Sequence, residues 1–144
     1  MRRVILLCGP PGAGKTTAAH ASGLPVYDRD DPQWVSEAHW NAELTKLGRA
    51  TDAQAVVIRS CASSTARART AQTIAATDTF VVLASRDELR RRVRDRGRED
   101  MVRTLMGIDQ WFTRFDRNDN VPDFTGWHTI GADLDEAGVT SDDW

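Results

Sequence analysis

Residues 9–16 read Gly9-Pro10-Pro11-Gly12-Ala13-Gly14-Lys15-Thr16 and directly follow the apolar run Val4-Ile5-Leu6-Leu7-Cys8. The stretch fits the pattern GxxxxGK[ST], in which a glycine-rich loop joins a strand to a helix and surrounds a polyphosphate with backbone N–H groups. The next residues, 17–21, predict that helix, whose positive N-terminal end faces the phosphates. This part of the chain therefore predicts a strand, a phosphate loop and a helix that together bind a nucleotide.

The side chains of the loop are expected to have different functions. Lys15 is expected to reach the outer phosphates, and the Thr16 hydroxyl is expected to ligate a bound magnesium ion. The glycines allow successive backbone amides to turn toward the phosphates. The predicted nucleotide-binding set is Gly9, Pro10, Pro11, Gly12, Ala13, Gly14, Lys15, Thr16 and Thr17.

Length and charge restrict the classes of protein that the chain fits. Its 144 residues are the size of one ordinary domain. The formal net charge of -2 gives no general attraction to nucleic acid, so any such binding needs a local basic patch. No apolar segment is long enough to span a membrane. We therefore expect an intracellular, cytoplasmic protein without a membrane partner.

The two cysteines, Cys8 and Cys61, each lie at the end of an apolar run. They show neither metal-ligand spacing nor the spacing of a redox pair. This pattern predicts buried free thiols, which is consistent with a reducing compartment.

Apolar runs alternate with helix-like stretches along the chain, at residues 4–7, 25–27, 55–58, 80–83 and, as the weakest of the five, 127–130. Near-continuous apolar strands separated by helices indicate a parallel sheet that is covered on both faces. The predicted fold is therefore α/β, a three-layer sandwich with a central parallel sheet. Ligands of such folds bind beyond the carboxyl ends of the strands.

Polar residues follow the second and third predicted strands. The second runs into Tyr27-Asp28-Arg29-Asp30-Asp31-Pro32, which places several carboxylates beside the phosphate loop. Asp31 is predicted to cap a helix that begins near Pro32 and runs to about Leu47, where Gly48 ends it. After the third strand, Arg59 is a candidate for holding a substrate phosphate, and Ser64 or Thr65 is expected to cap the next helix.

Residues 86–98 contain seven arginines against three acids. For most of them a solvated helix face with ion pairs is the expected role. Arg92 and Arg96, however, are four residues apart and share one face of a helix, and arginine is suited to phosphate recognition. Gly97 then releases the chain into a loop. The segment therefore predicts an arginine-rich lid that closes over the donor phosphates.

The C-terminal third begins with a predicted amphipathic helix over residues 100–117, whose apolar stripe is expected to be core. From residue 118 onward there is no lysine or arginine, but there are seven acids. A last strand is predicted at 127–130, followed by a polar, acidic tail that we expect to be partly disordered.

In chain order, the phosphate loop from Gly9 to Thr17, the turn Arg29-Asp30-Asp31 and the arginine segment ending in Arg96-Gly97 resemble the P-loop kinase domain of the polynucleotide 5'-hydroxyl kinases. These belong to a broader group of small ATP-dependent kinases of phages and bacteria. The resemblance spans roughly residues 3–117. It implies a P-loop kinase with ATP and Mg²⁺ as cofactors. From the resemblance and the composition of the C-terminal residues, we predict a P-loop kinase domain over residues 1–131 and an acidic tail over 132–144.

The resemblance also implies roles for individual residues. Asp30 takes the place of the aspartate that accepts the proton of the acceptor hydroxyl. Arg96 takes the place of the arginine that contacts the transferring phosphoryl group, and Arg92 is a second candidate. Two departures leave the acceptor open. Gln33 stands where the family has an arginine for the acceptor's 3' phosphate, and Ser60-Cys61 replaces an acidic residue.

These observations predict an ATP-dependent kinase acting on a hydroxyl group, with Lys15, Asp30, Arg92 and Arg96 as catalytic residues and Arg29, Gln33 and Arg59 as substrate-binding residues. The likeness and the basic segment favour a nucleic-acid acceptor, either a 5'-hydroxyl end or the hydroxymethyl group of a modified DNA base. Trp34 and Trp40 are expected to be core, with stacking on a base as the alternative. A small-molecule acceptor (a nucleoside, nucleotide or sugar) is the first alternative, and a nucleotide-binding switch or NTPase without an acceptor is the second. The oligomeric state stays open.

Overall fold

A four-stranded parallel sheet with the order β2-β3-β1-β4 forms the centre of the molecule. The structure, a computed structural model, describes residues 1–97 and 99–127. The strands are β1 (Arg3–Cys8), β2 (Val26–Asp28), β3 (Gln54–Arg59) and β4 (Asp78–Val81). The helices are α1 (Lys15–Ala21), α2 (Glu37–Arg49), α3 (Ser64–Ile74), α4 (Arg86–Arg96) and α5 (Met101–Arg114).

Strand β1 is buried on both faces, which explains its uninterrupted apolar sequence. Val4 and Leu6 pack into the cluster that contains buried residues of α2, α3 and α5. Ile5 and Leu7 point to the opposite face, where α1 contributes Ala19. Because successive side chains of a strand alternate between its faces, one apolar run supplies both cores. The predicted three-layer α/β fold with a phosphate loop after β1 is confirmed.

The start of α2 differs from the sequence prediction. The helix begins at Glu37 behind the cap Ser36, whose side chain accepts a hydrogen bond from the amide of His39. Asp31 instead accepts a 3.0 Å hydrogen bond from the amide of Gln33 and so closes a tight turn of its own. Asp31 is therefore a turn residue, because its side chain bonds locally and the chain does not continue as a helix from Pro32.

Gly48 does not end α2, which continues to Arg49. A Cβ atom at residue 48 would lie 2.1 Å from the carbonyl oxygen of Thr73 in α3. Glycine is needed here because α2 and α3 approach each other closely at this point. Glycine near the end of a helix is common both as a helix cap and at a close contact between helices. The sequence pattern predicted the cap, whereas the structure shows the close contact.

The remaining helix ends are shifted by a few residues. Helix α3 begins at Ser64 and is capped by Ser63, not by Ser64 or Thr65. Helix α5 ends at Arg114, because Phe115 is already extended and its ring stacks on Trp111 with ring centroids 4.6 Å apart.

The free edge of β4 is bordered by the segment around Asp123. The amide of Val81 donates to the carbonyl of Pro122 at 3.0 Å, and the amide of Phe124 donates to the carbonyl of Val81 at 2.8 Å. The predicted fifth strand at 127–130 lies outside the described residues except for Trp127, which is buried and lies outside any strand. The predicted domain boundary at residue 131 and the tail 132–144 also lie outside them. Among the described residues, no helix is long and apolar enough to cross a membrane.

Candidate active site

The phosphate loop connects β1 to α1 through two residues with positive φ angles, Gly12 at 80° and Gly14 at 96°. L side chains rarely adopt this conformation, so the path of the loop depends on glycine at both positions. The ammonium of Lys15 donates to the carbonyls of Gly9 and Pro10, which holds the side chain against the loop. Burial lowers the pKa of Lys15 from its ordinary value, and neighbouring acidic groups, Asp28 among them, oppose this shift.

The first cavity lies over the loop and has a volume of about 350 Å³. Residues 11–17 line it together with Asp28, Asp30, Ile58 and Arg96. Gly9 and Pro10 are not among the lining residues but are buried behind the loop. The structure thus brings most of the predicted nucleotide-binding set together with Asp30 and Arg96. We refer to this space as the donor cavity.

Thr16 and Asp28 form an oxygen-rich pair at the donor cavity. The Thr16 hydroxyl donates to Oδ2 of Asp28 at 3.1 Å, and Oδ1 of Asp28 accepts from the amide of Asp30 at 3.0 Å. A hydroxyl and a carboxylate oxygen are the ligand types that Mg²⁺ prefers, and this ion is usually held by one or two carboxylates with substrate phosphates. The described residues contain no cluster of three or more His, Cys, Asp or Glu side chains suited to a metal. The residues present fit a magnesium ion shared with a nucleotide.

A second cavity of about 310 Å³ adjoins the donor cavity, and the two share Pro11, Lys15, Asp28, Asp30 and Ile58 as lining residues. It adds Arg29, Arg59 and Ser60. We refer to it as the middle cavity. Two carboxylates, those of Asp28 and Asp30, therefore border both spaces. Sequence reasoning chose Asp30 and missed Asp28, although Asp28 is the residue with which a strand beside the loop ends.

A third cavity of about 500 Å³ extends from the middle cavity toward α3 and α5. The two cavities share Pro11, Arg59 and Ser60. We call the third cavity the arginine pocket, because Arg59, Arg69 and Arg114 all line it. Sequence reasoning missed Arg69 and Arg114. The available signal was on α5, where residues 107, 110, 111 and 114 have the spacing of one helix face and all line the pocket.

The predicted arginine lid corresponds to α4, which ends at Gly97 in a left-handed conformation. Arg96 lines the donor cavity, and a guanidinium nitrogen of Arg92 lies 3.4 Å from the carbonyl oxygen of Gly12. The predicted pair therefore lies at the phosphate loop. Arg92 also donates to Glu88 at 3.1 Å.

Most other arginines of this segment form ion pairs. Arg86 and Arg90 both bind Asp109 and so tie α4 to α5, and the hydrogen bond from Arg90 holds the pKa of Asp109 below its ordinary value. Arg91 pairs with Glu88 and lies 3.9 Å from Asp95. The expected role as a solvated face with ion pairs applies to these three. Arg98 lies outside the described residues.

The predicted substrate residues are divided among separate places. Arg59 lines the middle cavity and the arginine pocket, whereas Arg29 lines the middle cavity and pairs with Glu37. The structure does not bring Gln33 to this site. It lines another cavity, of about 330 Å³, with Tyr27, Trp34, His39 and others.

The two tryptophans of this region are held by protein contacts. Trp40 is fully buried, which excludes it as a platform for a nucleobase. Trp34 is half-buried, donates its indole N–H to the carbonyl of Asp28 at 2.7 Å and stacks on Tyr27. The expectation that both are core therefore fits better than the stacking alternative.

A buried arginine fixes the wall behind the arginine pocket. Arg67 is 1% exposed and makes a two-pronged ion pair with Asp119, at 3.0 and 2.9 Å. It also donates to the carbonyls of Cys61, Ala62 and Asp116. One side chain thereby joins the loop after β3 to the loop after α5.

Both cysteines are buried free thiols, as predicted. The side-chain hydrogen bond between Cys8 and Cys61, together with burial, raises the pKa of Cys8. Cys61 lines the arginine pocket and has a positive φ of 36°. The backbone thus turns sharply at Cys61, just after the end of β3, among the residues that line the pocket.

Comparison with solved structures finds several kinases with a similar fold. A sugar kinase from Janibacter sp. HTCC2649 has a TM-score of 0.62 at 17% identity, covering 97% of this chain and 94% of that chain. A gluconokinase from Sinorhizobium meliloti 1021 has a TM-score of 0.58 at 17% identity, with 95% and 93% covered. A shikimate kinase from Acinetobacter baumannii, in complex with shikimate, has a TM-score of 0.51 at 15% identity, with 93% and 94% covered. No family model and no curated protein sequence matches the chain. At these identities the similarity establishes the fold, which is that of the P-loop kinases.

Proposed function

We propose that the protein is an ATP-dependent kinase that transfers the γ-phosphate to a hydroxyl group of a small molecule. The observation that carries this proposal is the series of three adjoining cavities. The first contains the phosphate loop, the second is bordered by two carboxylates, and the third offers room for the body of an acceptor. Donor, proton acceptor and acceptor space therefore follow one another in the order that phosphoryl transfer needs.

The donor half would be held by the loop and by the arginines of α4. Loop amides and Lys15 bind the phosphates, and Arg96, with Arg92 beside it, neutralises charge on the oxygens of the transferring group. Thr16 and Asp28 would hold Mg²⁺. The chemistry supplied by such an ion would be positive charge that offsets the negative charge of the phosphates.

The acceptor half would depend on Asp30. Its exposed side chain borders both the donor cavity and the middle cavity, so it can meet a hydroxyl that enters from the acceptor side. A carboxylate in this position orients the hydroxyl and accepts its proton as the oxygen attacks phosphorus. Positioning and charge stabilisation supply most of the catalysis in reactions of this type.

Three observations support a small molecule over the nucleic acid that the sequence first suggested. Many arginines of α4 are engaged in ion pairs with Glu88, Asp95 and Asp109, which leaves less free basic surface for a polynucleotide. Trp40 is buried and unable to stack on a base. Volumes of about 310 and 500 Å³ suit a small ligand. The names of the fold relatives point the same way, because gluconate, shikimate and sugars are small hydroxy compounds.

A radiolabelled-ATP screen tests this function directly. The purified protein is incubated with sugars, sugar acids, nucleosides and nucleotides, and in parallel with DNA that carries 5'-hydroxyl ends or hydroxymethylated bases. Transfer of label to a small molecule, absent in Lys15→Ala, is the expected result. Label in DNA alone would establish the nucleic-acid alternative. Steady phosphate release with label in no acceptor would identify an NTPase and overturn the proposal.

A further inference from the structure

We propose that the acceptor carries an oxyanion, a carboxylate or a phosphate, at the end opposite its reacting hydroxyl, and that Arg59, Arg69 and Arg114 bind this group in the arginine pocket. The inference rests on the proposed kinase function and specifies the substrate class of the same site. The three arginines come from β3, α3 and α5 and meet around one cavity of about 500 Å³.

These three arginines have no carboxylate partner among the described residues. Within residues 1–97 and 99–127, no ion pair or hydrogen bond involves the guanidinium group of Arg59, Arg69 or Arg114. By contrast, Arg67, on the same helix as Arg69, is paired with Asp119, and Arg90 of α4 is paired with Asp109 of α5. The chain as a whole is slightly acidic, with a net charge of -2, so a cluster of unpaired arginines is not a consequence of general basicity. Like charges around a concave surface create a potential that attracts an anion.

Arg59 is the best fixed of the three. Its guanidinium carbon lies 5.8 Å from the ring centroid of the buried Trp40, which is a cation–π contact. Such a contact orients the guanidinium without using its N–H donors. Arginine presents these donors as a planar fork that matches the oxygens of a carboxylate or a phosphate.

Two backbone amides beside the pocket already have partners. At the start of α3, the amide of Ser64 donates to Asp116 at 3.1 Å, and the amide of Ala66 donates to the Ser63 hydroxyl at 3.1 Å. These two amides are therefore satisfied by the protein itself. Among the described residues that line the pocket, the three guanidinium groups are the charged donors that remain for a ligand.

The position of the arginines sets the direction of the acceptor. Arg59 and Ser60 line both the arginine pocket and the middle cavity, where Asp28 and Asp30 lie. An anionic group is repelled by these carboxylates and attracted by the arginines, so it occupies the far pocket. The hydroxyl end of the same molecule then faces Asp30 and the phosphate loop. Charge thus selects the acceptor and also orients it.

Matched pairs of compounds that differ in charge test this inference. Gluconate is compared with glucitol for the carboxylate, and glucose 6-phosphate with glucose for the phosphate. Binding is measured by calorimetry and phosphoryl transfer by kcat and KM. In at least one pair, the anionic member is expected to bind at least about tenfold more tightly than its neutral counterpart, as charge-assisted hydrogen bonds predict. The pair that shows the difference identifies carboxylate or phosphate as the preferred group.

Variants of the exposed arginines locate the effect. Arg69→Gln and Arg114→Gln are each expected to weaken binding of the preferred anion about tenfold and to raise its KM, with kcat and ATP binding unchanged. Arg103→Gln, on the exposed surface of α5 and outside the pocket, is the matched control and leaves every value unchanged. Thermal melts check that the variants are folded.

The outcomes separate the two proposals. Tighter anion binding that depends on Arg69 and Arg114, but without phosphoryl transfer to any acceptor, would retain the arginine pocket and reject the kinase function. Transfer to neutral acceptors, with no preference for an anion in either pair, would retain the kinase and overturn the pocket. Equal binding of both members of each pair, or anion binding that both variants leave intact, would likewise overturn it.

Discussion

The hydroxyl of Thr16 lies 3.1 Å from a carboxylate oxygen of Asp28, so the first turn of α1 is joined to the last residue of β2. Two elements that are separate in sequence thereby place two oxygen ligands side by side at the phosphate loop. Asp28 also accepts a hydrogen bond from the amide of Asp30 and so fixes the turn that carries the proposed base. The proposed magnesium site and the proposed base are therefore coupled through one carboxylate.

Asp28→Asn is expected to reduce the contribution of magnesium to ATP binding. The amide oxygen of Asn can still accept from the backbone amide of residue 30, and its NH₂ group can donate to the Thr16 hydroxyl, but the charge that attracts the cation is removed. Calorimetry of ATP binding with and without MgCl₂ measures this contribution, and we expect the gain from magnesium to fall about tenfold or more. Asp31→Asn is the control, because it keeps the turn and lies outside the cavities. An unchanged magnesium gain in Asp28→Asn would exclude a ligand role.

Asp30→Asn is expected to lower kcat for phosphoryl transfer about a hundredfold or more, because the amide does not accept the proton of the hydroxyl. The dependence of ATP binding on magnesium should stay as in the parent protein, which distinguishes this variant from Asp28→Asn. Rates are measured with the acceptor found in the radiolabel screen. Near-full activity in Asp30→Asn would show that the proton goes elsewhere, and the same assay on Asp28→Asn would then test the neighbouring carboxylate.

Arg96→Ala is expected to lower kcat about tenfold to a hundredfold with a smaller effect on ATP affinity, because its charge is most useful when negative charge spreads over the transferring group. Arg94→Ala is the matched control. Arg94 is also exposed on the same helix but does not line the donor cavity. Steady-state rates of both variants at saturating ATP measure the effect. An equal decrease of kcat in the two variants would show that the overall positive charge of α4 matters and that Arg96 makes no specific contact with the transferring group.

The parts of the molecule that the sequence predicted are those set by local pattern. The loop from Gly9 to Thr16 fixes its own conformation through its glycines, and the apolar run of β1 is explained by burial on both faces. The turn at Asp31 and the contact between Gly48 and Thr73 were misjudged, because a cap, a turn and a close packing contact favour the same residue types. Only the packed structure distinguishes among them.

The sequence did not predict most of the arginine pocket, for a different reason. Arg69 and Arg114 are 45 residues apart in the sequence and become neighbours only because α3 and α5 line the same cavity at the edge of the sheet. The pairing of Arg86 and Arg90 with Asp109 likewise depends on how α4 packs against α5. Charge composition gave the number of arginines, but tertiary packing decides which of them are neutralised and which stay free for a ligand.

The stability of the wall behind the arginine pocket is expected to depend on the ion pair between Arg67 and Asp119. Removing the carboxylate with Asp119→Asn leaves the buried guanidinium with only the more distant carboxylate of Asp116, at 3.9 Å, and we expect a loss of about 2 kcal/mol in the free energy of unfolding at pH 7. Asp95→Asn is the control, because its ion pair with Arg91 is exposed and long, at 3.9 Å, and should contribute little. Urea denaturation of the three proteins measures the difference.

The same ion pair predicts a pH dependence with a definite sign. The hydrogen bond from Arg67 holds the pKa of Asp119 below its ordinary value, so the folded state binds this proton more weakly than the unfolded state does. Its contribution to stability is therefore complete above the unfolded pKa of about 4 and is lost as the pH falls through the lower, folded pKa. The gap between the parent protein and Asp119→Asn should be constant from pH 7 to about 5 and should narrow below about pH 4, where the protonated carboxyl resembles the amide. Unfolding curves over this range measure the gap. A gap that persists undiminished in acid would show that packing, and not the charge of Asp119, stabilises the wall.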